Sequence, residues 1–344
     1  MILPVRRFKN PRAKHNFQGR TCSIVGVGSY VPEKVLTNAD LEKMVNTSDE
    51  WITTRTGIKE RRIAAKDQIT SDMAAIAAQR ALQSAQLAPE QVDLIVVATI
   101  TPDMPFPATA CFVQEKIGAK KAAAFDVGAA CSGLIYALEV GQQFIMSRTY
   151  ETVLVIGAEK FSTMINWKDR NTCVLFGDGA GAVVLQHRPQ AHGLLTACMG
   201  SDGSKAELLC TPGGGSRTPS TPETLAAGLQ YLHMDGKEIF KHAVTAMCTA
   251  AKEALKRCEL DISQIKCVIP HQANQRIISA VAERLGITPE QTYLNLDRYG
   301  NTSAASVVIA LDEAVQAGRI TRGDLVLLFV FGGGLTWGAA VIEW

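Results

Sequence analysis

A thiol, an imidazole and a carboxamide sit in three short strings that share one local design. Cys131 lies in GAACSG, His271 in PHQAN and Asn301 in YGNTSAAS, and each string follows a strand-like run and opens a helix-like one. Together they match the needs of acyl transfer through a cysteine: a nucleophile whose thiolate is favoured, and donors for the oxyanion formed when a thioester carbonyl is attacked. Gly128, Ala129 and Ala130 lead a tight turn into SGLIYALEVGQQFI, whose Leu134, Ile135, Leu138 and Ile145 fall near one helical face. A thiol at that helix start meets the positive end of the macrodipole, so a lowered pKa is expected for Cys131. Most cysteines are small buried hydrophobes. Cys111, the rival nucleophile, lies among Ala110, Phe112 and Val113 and reads as core. His271 is expected at a strand tip, where a lone histidine is ordinarily a hydrogen-bonded cap or surface group; His15, His187, His192, His233 and His242 have no comparable loop and take that ordinary role. Asn301 has an equally good structural role as a left-handed turn residue or a helix N-cap.

The elements that must position these residues repeat. QVDLIVVATI (91–100) is followed by a Pro-rich loop, a helix-like ATACFVQEKIG (108–118), strand-like AAAFDV (122–127) and then the loop and helix at Cys131. QIKCVIP (264–270) is followed by His271, helix-like NQRIISAVAERLG (274–286), strand-like QTYLNL (291–296), then Asn301 and another helix. FGDGAGAVVLQ (176–186) and FGGGLTWGAAVIEW (331–344) end the two series alike. The pattern predicts a duplicated α/β chain in which every post-strand loop reaches the same sheet edge, where α/β proteins build their sites. Two halves packed about a pseudo-two-fold would bring Cys131, His271 and Asn301 together.

At this point the chain resembles the thiolase-like condensing enzymes, and within them β-ketoacyl-acyl-carrier-protein synthase III. The resemblance runs from about Cys22 to Trp344, through TNADLEKMVNTSDEWITTRTGIKERRIA (37–64), AACSG (129–133), DRNT (169–172), FGDGAGA (176–182), PHQANQRIISA (270–280), GNTSAAS (300–306) and FGGGLTWG (331–338). Elongating synthases carry a second histidine where this chain has Asn301, and thiolases a second cysteine. The resemblance implies a thiolase-like fold of two duplicated βαβαβαββ halves, packed as a five-layered αβαβα architecture. The expected divisions are a basic extension over 1–20, an N-terminal half over 21–190 with the cysteine, and a C-terminal half over 191–344 with the histidine and asparagine.

It further implies that an acyl-CoA, most simply acetyl-CoA, acylates Cys131. Malonyl-acyl-carrier protein then loses CO2 with His271 and Asn301 on its thioester carbonyl, and the carbanion condenses with the acyl-enzyme. The backbone amides of Cys131 and Gly333 match the oxyanion hole. Trp51 and Arg55 match the adenine-contacting pair and Arg170 the opposite side of the nucleotide; Asn274, Gly236 and Phe240 match the pantetheine tunnel. Phe106 and Phe331 match aromatics of the acyl pocket, Phe106 from across a homodimer interface. Arg276, with Lys241 and Arg284 near it, matches the carrier-protein docking patch. A sibling condensing enzyme with another primer and a noncatalytic thioester-binding subunit are the alternatives, the latter disfavoured because such subunits typically lack the nucleophile.

Composition is compatible with this. The chain has 344 residues, 47% hydrophobic, enough for a large core in one big domain or two intimate halves. A net charge of +2 gives no nucleic-acid footprint, and LVLLFVF (325–331) is too short to span a membrane. Nine cysteines without a CxxC pair suit a reducing cytoplasm, bacterial in preference to plastid or other organelle, better than a disulfide framework or a zinc site. No metal and no cofactor is expected, acyl-CoA being a substrate. The first twenty residues carry Arg6, Arg7, Lys9, Arg12, Lys14 and Arg20 without an acid or an apolar core, and read as a frayed basic arm.

Overall fold

LIVVA and TVLVIGAE are buried along their whole length. Unalternating apolar runs of this kind are what strands covered on both faces require. In a computed structural model of the chain, which describes residues 20–188 and 193–344, they form the middle of one of two large sheets. The first sheet holds β1 (Ser23–Tyr30), β2 (Leu94–Ala98), β3 (Ala123–Val127), β4 (Thr152–Glu159) and β5 (Gly179–Gln186), in the order β1-β5-β4-β2-β3. The second holds β6 (Leu194–Ser201), β7 (Cys267–Pro270), β8 (Leu325–Gly332) and β9 (Thr336–Glu343), in the order β7-β8-β9-β6. β2 runs parallel to β3 and β4, and β7 parallel to β8, while the other pairings are antiparallel. Aligning β2 with β7, β4 with β8, β5 with β9 and β1 with β6 superposes the two orders.

The helices that matter are α1 (Asp49–Thr56), α2 (Thr70–Ala85), α3 (Thr109–Ile117), α4 (Gly133–Met146), α5 (Gly236–Arg257), α6 (Gln275–Leu285) and α7 (Ser306–Gln316). Alternation along each central strand assigns the layers. Ile95, Val97, Leu154 and Ile156 meet α2 and α3 on one face of the first sheet. Leu94, Val96, Val153 and Val155 face the other way, onto a shared core with Leu134, Ile135 and Leu138 of α4, Val308 and Leu311 of α7, and Ile269, Leu328 and Val330 of the second sheet. Val268, Leu327 and Phe329 turn outward to Val244, Met247 and Ala251 of α5 and Ile277 and Val281 of α6. The result is the αβαβα stack. Each such fully buried aliphatic side chain contributes roughly 1.5–3 kcal/mol relative to exposure, so the central layer, filled from both sheets, holds the halves as one body. The outer layer is just as close: a Cβ on Gly28 of β1 would lie 2.4 Å from the Ala81 nitrogen of α2.

One predicted strand is corrected. Residues 291–296 form a single parallel bridge, Thr292 to Val268, before Leu296–Tyr299 turns into a short helix. The segment corresponds to β3, but Asn295 leaves the ladder: its backbone N–H donates to the Gln272 carboxamide at 3.0 Å instead of extending the sheet. Asn301 therefore follows a helical turn, not a strand. The basic arm lies outside the described residues except for Arg20, which pairs with Glu151 at 2.6 Å. The expected division at 190/191 likewise lies outside them.

Candidate active site

Cys131 sits in a 3-10 turn, Ala130–Ser132, between β3 and α4. That turn packs against a second one, Ser303–Ala305, which leads into α7, and against the end of β8. The approach of β8 is close: a Cβ on Gly332 would stand 2.7 Å from the Cys131 nitrogen, so only glycine admits the strand there. Ala130 (φ 45) and Ser303 (φ 50) both occupy the left-handed region without being glycine. Each such residue costs of order 1–3 kcal/mol, strain that is held where surrounding structure over-determines the turn.

His271 continues the β7–β8 ladder, its N–H donating to the Phe329 carbonyl at 2.9 Å. Its Nδ1 lies 2.7 Å from the Ser306 hydroxyl at the start of α7. That hydroxyl also accepts from the Gln272 amide at 3.4 Å; in the tautomer in which it gives its own proton to Nδ1, the ring proton sits on Nε2. Asn301 is pinned from the first half: its N–H donates to the Leu175 carbonyl at 2.8 Å, and its carbonyl accepts from Gly177 at 3.0 Å. Its side-chain oxygen accepts from the Ser303 N–H at 2.8 Å, so the NH2 end is left for a ligand.

The electrostatics follow from burial. His271 is driven down to about 3 by desolvation and is a neutral donor at physiological pH. Cys131 is 5% exposed, and burial pushes its thiol up to about 12, with the Ser303 hydroxyl acting against that rise and the Glu159 charge adding to it. The expected lowering is thus corrected: in the closed site desolvation outweighs the helix terminus. Cys111 is half-buried in α3, and Cys173 is buried with its thiol pushed up to about 11.

Arg55 and Arg170 both lie against the Trp51 ring. The Arg55 guanidinium lies 4.6 Å from the Trp51 ring centroid and that of Arg170 5.1 Å. Asn274 caps α6 and donates to the Arg55 carbonyl at 3.1 Å. Behind the stack lies Arg61, wholly buried. Its guanidinium donates to the Val174 carbonyl at 2.7 Å and to Asn38 at 2.9 Å, and Asn38 in turn donates to Asp49 of α1 at 2.8 Å. Arg61 thereby clamps the segments that carry Trp51 and Arg170. Gly236 opens α5, and Phe240 one turn later has the Arg276 guanidinium 5.9 Å from its ring centroid. Lys241 is paired with Glu238 at 2.5 Å, and Arg284 lies in the last turn of α6.

Comparison with known proteins places this geometry. The family model described as 3-oxoacyl-[acyl-carrier-protein (ACP)] synthase III matches residues 125–203, and its C-terminal counterpart residues 255–344. A β-ketoacyl-[acyl-carrier-protein] synthase III from Caldanaerobacter subterraneus subsp. tengcongensis is 57% identical over 321 residues, 93% of this chain and 97% of that protein. The chain belongs to the β-ketoacyl-[acyl-carrier-protein] synthase III family. The crystal structure of the 3-oxoacyl-[acyl-carrier-protein] synthase III from Aquifex aeolicus VF5 is similar at TM-score 0.88 and 50% identity, over 94% of this chain and all of that one. That from Thermus thermophilus matches at TM-score 0.87 and 47% identity, over 94% and 99%. The thiolase-like fold expected from the motifs is the fold of this family.

Phe106 is 83% exposed and closes no pocket of its own subunit, because the Pro-rich loop carries it outward. Gly332 is the glycine that packs on the Cys131 backbone, and Gly333 follows it, where a Cβ would meet the Leu209 carbonyl at 2.8 Å. Phe331 is buried in the outer core of the second sheet. Sequence reading passed over Glu159, Ser303 and Ser306. The signal for Glu159 was available: a carboxyl group ending the otherwise apolar run TVLVIGAE.

Proposed function

We propose that Cys131 is the nucleophile, and His271 and Asn301 the enolate-stabilising donors, of the condensing enzyme that initiates type II fatty-acid synthesis. An acyl-CoA primer, acetyl-CoA in the simplest case, transfers its acyl group to the Cys131 sulfur, with the Cys131 and Gly333 amides taking the oxyanion and CoA leaving. Malonyl-acyl-carrier protein then binds. Its carbon–carboxylate bond breaks, CO2 departs, and the electron pair enters the thioester as an enolate held by His271 Nε2–H and the Asn301 NH2. The enolate carbon attacks the acyl-enzyme, giving 3-oxoacyl-acyl-carrier protein and the free thiol. A neutral imidazole suits this step, because it donates a hydrogen bond without handing the carbanion a proton.

What carries the reading is the packing of the Cys131 turn against the Ser303 turn that anchors Asn301, with His271 tied to the same helix through Ser306. The Arg55–Trp51–Arg170 stack is the adenine and phosphate end, since guanidinium groups stack on flat rings and pair with phosphate. Asn274, Gly236 and Phe240 border the pantetheine path, Phe331 backs the acyl pocket, and Arg276, Arg284 and Lys241 receive the acidic carrier protein. The exposed Phe106 is read as a residue given to a partner subunit in a homodimer. The reaction as proposed uses side chains and backbone amides, with no cofactor. A bacterial cytoplasm suits the bacterial relatives and nine free cysteines. Exposure to acetyl-CoA should add one acetyl group by intact mass, mapped to Cys131, and malonyl-acyl-carrier protein should discharge it; a label on another residue would overturn the assignment.

A further inference from the structure

Glu159 ends β4 fully buried, and its two oxygens differ. Oε2 accepts from the Thr101 hydroxyl at 2.6 Å, the Thr101 N–H at 3.1 Å, and the Thr99 hydroxyl and Ile100 N–H at 3.2 Å each. Oε1 receives the Ser303 hydroxyl at 3.1 Å and only a long share of the Ile100 N–H, at 3.3 Å. Thr101 Oγ1 also accepts from the Lys160 N–H at 2.8 Å and Thr99 Oγ1 from the Thr101 N–H at 3.1 Å, so both threonine protons are committed to the carboxylate. Oε1 is therefore the oxygen with capacity to spare. The turn that carries Ser303 packs on the turn that carries Cys131, and the Ser303 hydroxyl acts on the Cys131 thiol against the rise that burial imposes. Thiol, hydroxyl and carboxylate thus lie in succession across two packed turns and the end of β4, all out of water.

We propose that Ser303 and Glu159 form a proton relay that ionises the Cys131 thiol for acylation. The S–H bond breaks and its proton passes to the Ser303 oxygen; the proton of Ser303 passes to Glu159 Oε1; the sulfur lone pair attacks the thioester carbon. When the tetrahedral intermediate collapses, the proton returns from Glu159 through Ser303 to the departing CoA thiolate, leaving Glu159 ionised. One buried negative charge moves between sulfur and carboxylate, and the site never holds two. This resolves how a thiol so desolvated reacts near neutrality. The carboxyl group of Glu159 is itself held up to about 7 by burial, close to the acid strength such a relay uses. β2, β5 and the Ser303 turn carry no titratable group, and the Lys160 ammonium is turned away to the carbonyls of Ala65, Lys66 and Gln68.

The inference rests on Cys131 being the nucleophile, and it separates from the enolate machinery because Asn301 is held by the Ser303 backbone N–H, not by its hydroxyl. Ser303→Ala, with Ser303→Gly to relieve the positive φ, should slow acetyl transfer from acetyl-CoA by about 100-fold. The ratio of that rate to malonyl decarboxylation should fall similarly. The wild-type acylation rate should rise with pH through the ionisation of Glu159, and both serine variants and Glu159→Gln should lose that inflection. Peptide mapping of iodoacetamide label distinguishes the two readings: label off Cys131 removes the nucleophile, whereas label on Cys131 with an unchanged acylation rate and pH profile in Ser303→Ala overturns the relay alone. Faster acylation in Glu159→Gln would also overturn it, since a charge that merely repels the thiolate gives that sign. Should Glu159→Gln fail to fold, the serine variants carry the test.

Discussion

His271 is buried neutral, and this has a pH signature. Its folded-state value of about 3 lies below the ordinary 6.5, so the unfolded chain binds the extra proton between those values. Stability is therefore lost as pH falls from 6.5 towards 3. Glu159 has the opposite sign: raised from 4.5 to about 7, it binds its proton first in the folded state, and stability declines as pH rises through that window. The two oppose each other between 4.5 and 6.5, so the effect must be read as a difference between proteins. The unfolding free energy of wild type minus that of His271→Gln should decrease with falling pH by at most about 1.4 kcal/mol per unit. A flat difference would show water reaching the ring in the native state. The chemistry divides at the same residues. Cys131→Ser should abolish condensation and retain malonyl decarboxylation, while His271→Ala and Asn301→Ala should still acylate but fail to decarboxylate. Assays of each half-reaction check this, and full decarboxylation by either variant would remove its enolate role.

At the scale of elements, Arg61 links α1 to the segment that carries Arg170. Burial lowers its pKa to about 10, so it stays charged, with carbonyls and an asparagine as its partners. Removing a buried, hydrogen-bonded guanidinium leaves these acceptors unpaired, and Arg61→Met is expected to cost about 2–4 kcal/mol by denaturant unfolding. It should also raise the KM for acetyl-CoA more than it lowers kcat, since the stack it positions is proposed to touch only the nucleotide. Trp51→Ala, which removes the ring between two guanidinium groups, should raise the same KM by about tenfold with little stability loss. Loss of kcat at unchanged KM would show that the stack does not bind nucleotide.

At the scale of the whole molecule, the predictions concern surfaces. Arg276 lies beside Phe240 at the outer face of the second sheet, and Lys241 is already neutralised by Glu238, which makes Arg276 the stronger candidate for carrier-protein docking. Arg276→Glu should raise the KM for malonyl-acyl-carrier protein about tenfold and leave self-acylation by acetyl-CoA nearly unchanged, because an attractive rim charge becomes repulsive. Equal damage to both half-reactions would mean a structural defect instead. Sedimentation should show a dimer that Phe106→Asp weakens, with loss of acylation following dissociation.

The thiol, the imidazole and the carboxamide were legible in the sequence because each occupies a turn of fixed design, and the repeat of strand, turn and helix around them implied two matching sheets. Continuous apolar runs such as LIVVA, short and rich in β-branched residues, likewise pointed to strands buried on both faces. Contacts between segments far apart in the chain were not legible. That Ser303 meets Glu159, that Arg61 reaches Val174, and that Gly332 rather than Gly333 lies on Cys131 depend on how two sheets close over one helical layer. The same closure decided the charge states. A helix terminus favours a thiolate locally, but the sign of a pKa shift is set by how much water the finished fold excludes, and at Cys131 and His271 exclusion is nearly complete. Local pattern determined which groups are present; tertiary packing determined their partners and their acidity, because desolvation and long-range hydrogen bonds exist only once the layers have met.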